Sequence, residues 1–247
     1  MRIKVTCFLP KEASLPYSLN YAVSSYLYRC ITLVDPKLGT WLHQEGLKYH
    51  GRTFKPIVFS RLRFASRRNR TTHMEVQGHV TFQVDSINPQ IIRRLMEGMW
   101  KLGEFQLLDL HLPLQSIQVM KAITFSEKMR YRSISPIVVP LQIEGKLHFC
   151  HPLESDFYDQ LRKSVANWYF LKWHERISED TFIRLRLLDP EKFQLRKAAT
   201  LLEYKEKKIK GYEIPLYVEA PPRVQQVLYE SGAGSLSSQG FGMLEGV

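Results

Sequence analysis

The 247-residue chain carries 35 lysines and arginines against 24 acidic residues, a formal net charge of +11 at pH 7. That surplus is too large for an ordinary metabolic enzyme and points to a polyanionic partner, nucleic acid or an anionic membrane surface. A hydrophobic content of 44% excludes a disordered chain, and no apolar run approaches the roughly 18 residues of a spanning helix.

The N-terminus, Met1-Arg-Ile-Lys-Val, reads as a strand and not as a signal peptide. Cys7, Cys30 and Cys150 form no CxxC pair and leave an odd thiol, which predicts buried free cysteines in a reducing, cytoplasmic setting. In chain order, Arg2 to Leu9 alternates as a strand that Pro10 ends. Leu19, Val23, Leu27, Ile31 and Val34 then recur at helical spacing from about Ser18 to Val34. Asp35-Pro36 stops this helix and starts another, as N-cap and first helical residue, running to about Glu45 before Gly46.

His43 falls in the last turn of the short helix. Histidine takes and gives protons near neutral pH, but a helix C-terminus also uses histidine as an ordinary cap. Two extended stretches follow, Thr53 to Phe64 and Thr72 to Val84, joined by a basic tip containing Arg67, Arg68 and Arg70. Arg61 and Arg63 are expected to share a strand face. A helix from Pro89 to Leu102, capped by Asn88, and a strand from Phe105 to Leu112 complete the order β-α-β-β-α-β.

The second half reads in the same way. Ile117 to Phe125 and Ile137 to Phe149 look like strands around a basic segment, Lys128-Met-Arg130-Tyr-Arg132, expected to be mobile. Asp156 to Glu175 is an aromatic-rich helix, its rings assigned to a core. Phe182 to Leu188 alternates, with Arg184 and Arg186 opposite the inward Ile183, Leu185 and Leu187. A hairpin is expected to pivot near Gly211, and a proline-initiated helix ends at Gly232. The fold class is therefore α+β, two tandem ferredoxin-like (RRM-like, βαββαβ) domains, 1–112 and 113–247, with the boundary near Pro113.

Gly232-Ala-Gly234 and Gly240-Phe-Gly242 flank a polar insert, Ser235 to Gln239. Such a loop favours positive φ, and its peptide N–H groups can form an anion-binding concavity. Because it follows a helix and lacks Gly-Lys-Ser/Thr, a nucleotide-binding P-loop is excluded; a plain C-cap and hairpin is the competing reading. His148-Phe-Cys150-His151 carries metal-ligating side chains, but neighbours on a strand point to opposite faces, so no metal site and no cofactor is expected there. Arginines recurring on tips and strand faces of both halves would line a track for a phosphate backbone. No helix carries a base-reading pattern, which favours single-stranded or hairpin RNA over duplex DNA. The lack of a basic amphipathic helix argues against a membrane surface.

The glycine loop, Tyr26-Leu-Tyr28, Leu38-Gly-Thr-Trp-Leu42-His43, Phe59-Ser60-Arg-Leu and Ser135-Pro136-Ile together resemble the CRISPR repeat-processing endoribonucleases of the RAMP superfamily, over nearly the whole chain. The resemblance implies metal-independent cleavage of CRISPR precursor RNA, with His43 as general acid/base, Tyr28 as its partner, and a lysine, Lys55 or Lys48, completing the site. The basic track itself is expected to contact RNA through Arg61, Arg63, Arg67, Arg68, Arg130, Arg132, Arg184 and Arg186. Gly232, Gly234, Ser237, Gly240 and Gly242 join them through the loop. Implied partners are precursor and mature CRISPR RNA and subunits of an effector complex, for a monomer or homodimer. The alternative is a non-catalytic repeat-RNA-binding subunit of such a complex.

Overall fold

Ile3, Val5, Cys7 and Leu9 are all buried while Lys4, Thr6 and Phe8 between them are only half-buried, the period-two pattern of a strand with one face on a core. In the computed structural model, which describes all 247 residues, the chain divides into two units, Met1–Ala122 and Ile123–Val247. The first contains β1 (Ile3–Leu15), α1 (Asn20–Val34), α2 (Pro36–Gln44), β2 (Leu47–Tyr49), β3 (Arg52–Phe54), β4 (Val58–Phe59), β5 (Arg63–Asn69), β6 (Met74–Asp85), α3 (Pro89–Leu102), β7 (Glu104–Leu107) and β8 (Leu110–Val119). Its sheet runs β4-β6-β1-β8-β7, with β5 also on β6, and the β1, β6 and β8 pairings are antiparallel, as a ferredoxin-like unit requires.

Two prolines read as strand breakers lie inside strands. Pro10 sits where the β1–β6 register shifts between Leu9 and Ala13, so a bulge absorbs it and β1 continues to Leu15. Pro113 pairs with Glu104 of β7, just outside the part of β8 that pairs with β1. The expected boundary at Pro113 thus falls within β8, and the first unit extends to Ala122. Burial pushes the thiols of Cys7 and Cys30 up to about 12, so both stay protonated inside the core, and all three cysteines are free.

The second unit contains β9 (Lys128–Ser133), β10 (Pro140–Ile143), β11 (Lys146–Phe149), α4 (Ser155–Trp173), β12 (Arg184–Leu187), α5 (Leu195–Ala198), β13 (Ala199–Tyr204), β14 (Lys207–Tyr212), β15 (Pro215–Glu219), α6 (Pro222–Ser231) and β16 (Leu244–Gly246). Its sheet has the order β12-β15-β9-β16, again a βαββαβ arrangement. The segment expected to be mobile is β9, a central strand. Tyr131 is fully buried and donates to Gln225 Oε1 at 3.0 Å, while Arg130 and Arg132 alternate to the open face. The β13–β14 hairpin turns at Lys205-Glu206, both at positive φ, and not at Gly211, which is buried against Pro136 and Val138.

All four loop glycines have positive φ, yet the loop is seated and not an open nest of donors. Ala233 N–H donates to Gly242 O at 2.7 Å, Ser235 N–H to Val138 O at 2.8 Å, and Gly242 N–H to Pro136 O at 2.8 Å. Phe241, 1% exposed, packs with Val138, Leu202 and Ile209. A Cβ on Gly242 would overlap the Ala233 carbonyl oxygen and stand 3.0 Å from its carbon. Gly242→Ala should therefore cost about 2–4 kcal/mol in urea denaturation, from positive φ plus crowding. Gly145→Ala, at φ +77 with nothing within 4 Å, should cost only about 1 kcal/mol. Equal losses would show that crowding is not why glycine stands at 242.

Candidate functional site

Asp35 governs the entry to the site. Its N–H donates to Ile31 O, closing α1, and its carboxylate accepts from Leu38 N–H at 2.9 Å, opening α2 with Pro36 at the first turn. The reversal lays α2 against α1 at Gly39, where a Cβ would overlap Thr32 Oγ1 and stand 2.8 Å from Thr32 Cα. Leu42, fully buried, fixes the roll of α2 and leaves His43 exposed on the last turn.

Tyr28 on α1 is half-buried, and its ring meets that of His43 edge-on, with centroids 5.8 Å apart and planes at 84°. The Lys55 ammonium donates to the His43 carbonyl, one of the acceptors a helix C-terminus leaves without an intrahelical partner. It also stands 5.8 Å from the Tyr28 ring centroid. Lys48, on β2, is exposed opposite Thr53 and shares none of these contacts. Of the two lysines, Lys55 is the one brought to the pair. Beside them lies a recess of about 440 Å³ with Tyr28, Arg29, Thr32, Thr40, His43 and Gln44 as its polar lining. No carboxylate or thiol lines it. Arg29, adjacent to Tyr28 and hydrogen-bonded to Gln106 Oε1, was not singled out in the sequence; its placement follows only from which face of α1 meets α2.

The predicted arginines divide into two groups. On the first unit, Arg61 lies between β4 and β5, half-buried, and so shares no strand face with Arg63. Arg63, Arg67 and Arg68 are exposed on β5; Arg67 donates to Asn69 at 2.8 Å and Arg68 stands 3.6 Å from Glu75. On the second unit, the open sheet face carries all four predicted arginines in register. Arg186 lies opposite Tyr217, and Tyr217 opposite Arg130; Arg184 lies opposite Glu219, and Arg132 between Pro215 and Glu245. The Arg186 guanidinium stands 4.5 Å from the Tyr217 ring centroid, and Arg132 is paired to Glu245. Tyr217 was missed in the sequence because nothing local marks which face of Pro215–Glu219 is open. The loop glycines shape backbone contacts, and Ser237 opens a half-exposed single turn, Ser237–Gln239.

The histidine–cysteine run also differs from expectation. β11 ends at Phe149, and the bend beyond it brings His148, Cys150 and Glu154 together, their ligand atoms within 4.8 Å of one another. Convergence of the run needs a bend, and the bend is there because β11 ends at Phe149.

Two descriptions match the chain almost end to end: CRISPR-associated protein Cas6, N-terminal, over residues 14–118, and CRISPR associated protein Cas6, C-terminal, over residues 119–246. A CRISPR-associated endoribonuclease-like Cas6 protein of Pyrococcus furiosus is 25% identical over 254 residues, covering 99% of this chain and 98% of its own. The CRISPR-associated endoribonuclease Cas6 of the same organism is 22% identical over 234 residues, covering 94% of this chain and 83% of its own. A solved RAMP protein described as binding different RNA substrates superposes with a TM-score of 0.84 at 25% identity, covering 100% of this chain and 99% of that one. The chain belongs to the Cas6 family of CRISPR-associated proteins, within the RAMP superfamily.

Proposed function

We propose that this chain is an endoribonuclease that cuts CRISPR precursor RNA within its repeats, in the cytoplasm and without a metal ion at the reacting phosphate. The observation that carries the reading is the meeting of Tyr28, His43 and Lys55 beside one recess. Names of relatives as endoribonucleases and of a structural neighbour as an RNA binder support the substrate class.

Cleavage of this kind needs a proton taken from a ribose 2′-OH, a proton given to the departing 5′-oxygen, and a cation facing the phosphorane. His43 and Tyr28 form the proton-transfer pair. The 2′-oxygen bonds to phosphorus as the P–O5′ bond breaks, leaving a 2′,3′-cyclic phosphate and a 5′-hydroxyl. Lys55 supplies the positive charge: its ammonium has three donors, so the bond to the His43 carbonyl leaves others for a phosphate oxygen. With no carboxylate in the recess lining, a two-metal arrangement lacks its ligands there.

The second unit's sheet face supplies affinity in this reading. An exposed-face tyrosine between two arginines offers a base a stacking surface and its phosphates two cations. This same face favours the rival, a non-catalytic subunit that holds repeat RNA, because it would bind whether or not His43 acts. Incubation with repeat RNA in EDTA separates the two: site-specific cleavage supports the enzyme, and tight binding without cleavage the subunit.

His43→Ala should slow cleavage by about 10²–10⁴-fold with RNA affinity nearly unchanged; wild-type rates in single-turnover assays would remove His43 from the reaction. Gly39→Ala, at a residue with no proton to give or take, should slow it by about 10²-fold by prising α2 from α1, with circular dichroism confirming that the fold persists. Tyr217→Ala should weaken binding by about 5–150-fold, the range of one lost stacking contact, and leave the single-turnover rate at saturating protein unaltered.

A further inference from the structure

Four potential metal donors meet where the β10–β11 hairpin joins α4. His148 Nε2 lies 3.2 and 3.1 Å from the two Glu154 oxygens, and His151 Nε2 lies 3.1 Å from Glu154 Oε1. Cys150 is buried beneath them, and its Sγ falls with His148 and Glu154 inside 4.8 Å. We propose that His148, Cys150 and Glu154 form a zinc-binding site that fastens this hairpin to the start of α4.

The donor chemistry selects the ion. A thiolate with an imidazole suits zinc, whereas magnesium and calcium take oxygen ligands. Zinc bonds of about 2.0–2.3 Å set neighbouring donors about 3.5 Å apart in a tetrahedron, so the widest pair here has to close by roughly an ångström, within side-chain rotation. His148 is half-exposed, which gives the ion a path in and leaves a fourth position to water.

His151 serves as a positioning residue. Its Nδ1 accepts from Leu153 N–H at 3.2 Å, so in the neutral ring Nε2 carries the proton and donates to Glu154. Glu154 also accepts from His151 N–H at 2.9 Å. These bonds hold the carboxylate toward the other two donors, the outer-shell arrangement that metal ligands need.

The location gives the ion a structural task. β10 and β11 pair only with each other, and an isolated two-stranded hairpin is marginal in water. Beyond β11, Cys150 N–H donates to Val139 O at 2.9 Å, closing the base of the hairpin. A cation held by His148 on β11, Cys150 after it and Glu154 at the cap of α4 would lock that base to the helix.

The test uses the full-length protein, stripped with chelator, freed of chelator and titrated with Co²⁺ as a spectroscopic probe and with Zn²⁺. Expected is one ion per chain, a thiolate-to-cobalt charge-transfer band, and a rise in melting temperature with Zn²⁺. Cys150→Ser should abolish the band, and Glu154→Gln, which keeps the side-chain shape, should weaken Zn²⁺ affinity by at least about tenfold. No uptake by the wild-type protein would overturn the proposal. Uptake that survives both substitutions would overturn it too, since the ion would then sit elsewhere. None of these readouts involves RNA, so they stand apart from the outcome at His43.

Discussion

Where the imidazole of His43 stands is decided by a backbone contact one helical turn away. Gly39 lets α2 come so close to α1 that Thr32 would collide with any Cβ at that position. His43 is four residues on and so lies on the same helical face, which brings its ring edge-on to that of Tyr28. Leu42 prevents roll, Asp35 fixes the angle of entry, and Lys55 grips the carbonyl at the exit. Each restraint acts on the main chain or on a buried neighbour. The imidazole itself stays exposed.

Both units follow the same βαββαβ order but present different surfaces. In the first, the recess lies along the paired helices, with α1 contributing Tyr28 and α2 His43. In the second, α4 packs on α6, and Leu185, Leu187, Leu216, Val218 and Tyr131 fill the covered side of the sheet. The opposite side carries the four arginines and Tyr217, with Glu219 and Glu245 among them, because strand alternation sends every second residue of β9, β12 and β15 outward. One topology thus offers a helix-flanked recess in one copy and an open cationic sheet in the other. The difference rests on the extra short helix after α1 and on where arginine falls in the alternation.

Features set by local chemistry were legible in the sequence. The Asp35-Pro36 break, the Asn88 cap and the proline-to-glycine limits of α6 all depend on residues within a turn of each other, and each stands where the residues put it. Features set by distant partners were not. Lys128 to Arg132 reads as a basic linker until Tyr131 finds Gln225, 94 positions away, and becomes the middle of a sheet. Pro10 and Pro113 read as ends because the bulge and the hairpin that accommodate them are made by other strands. At the recess, Tyr28 and His43 could be placed from two adjacent helices. The choice between Lys55 and Lys48 could not, since it depends on how the β2–β3 hairpin leads the chain back to the end of α2.

The glycine loop shows how a sequence signature and its physical role can part. Its spacing invites an anion-binding reading, yet its contacts run inward to the extended segment Ser135–Val139. Met243 N–H donates to Ser135 Oγ, Gly242 N–H to Pro136 O and Ser235 N–H to Val138 O. One residue further on, Val139 O receives Cys150 N–H at the base of the hairpin that carries His148. The segment makes only isolated bridges, Ile137 with Tyr212 and Val138 with Gly234, so its order comes from these contacts and from the burial of Ile137, Val138 and Val139. Gly234 and Gly242 are required because neighbouring backbone stands too close for a side chain, and what that approach secures is the position of the half-exposed turn at Ser237.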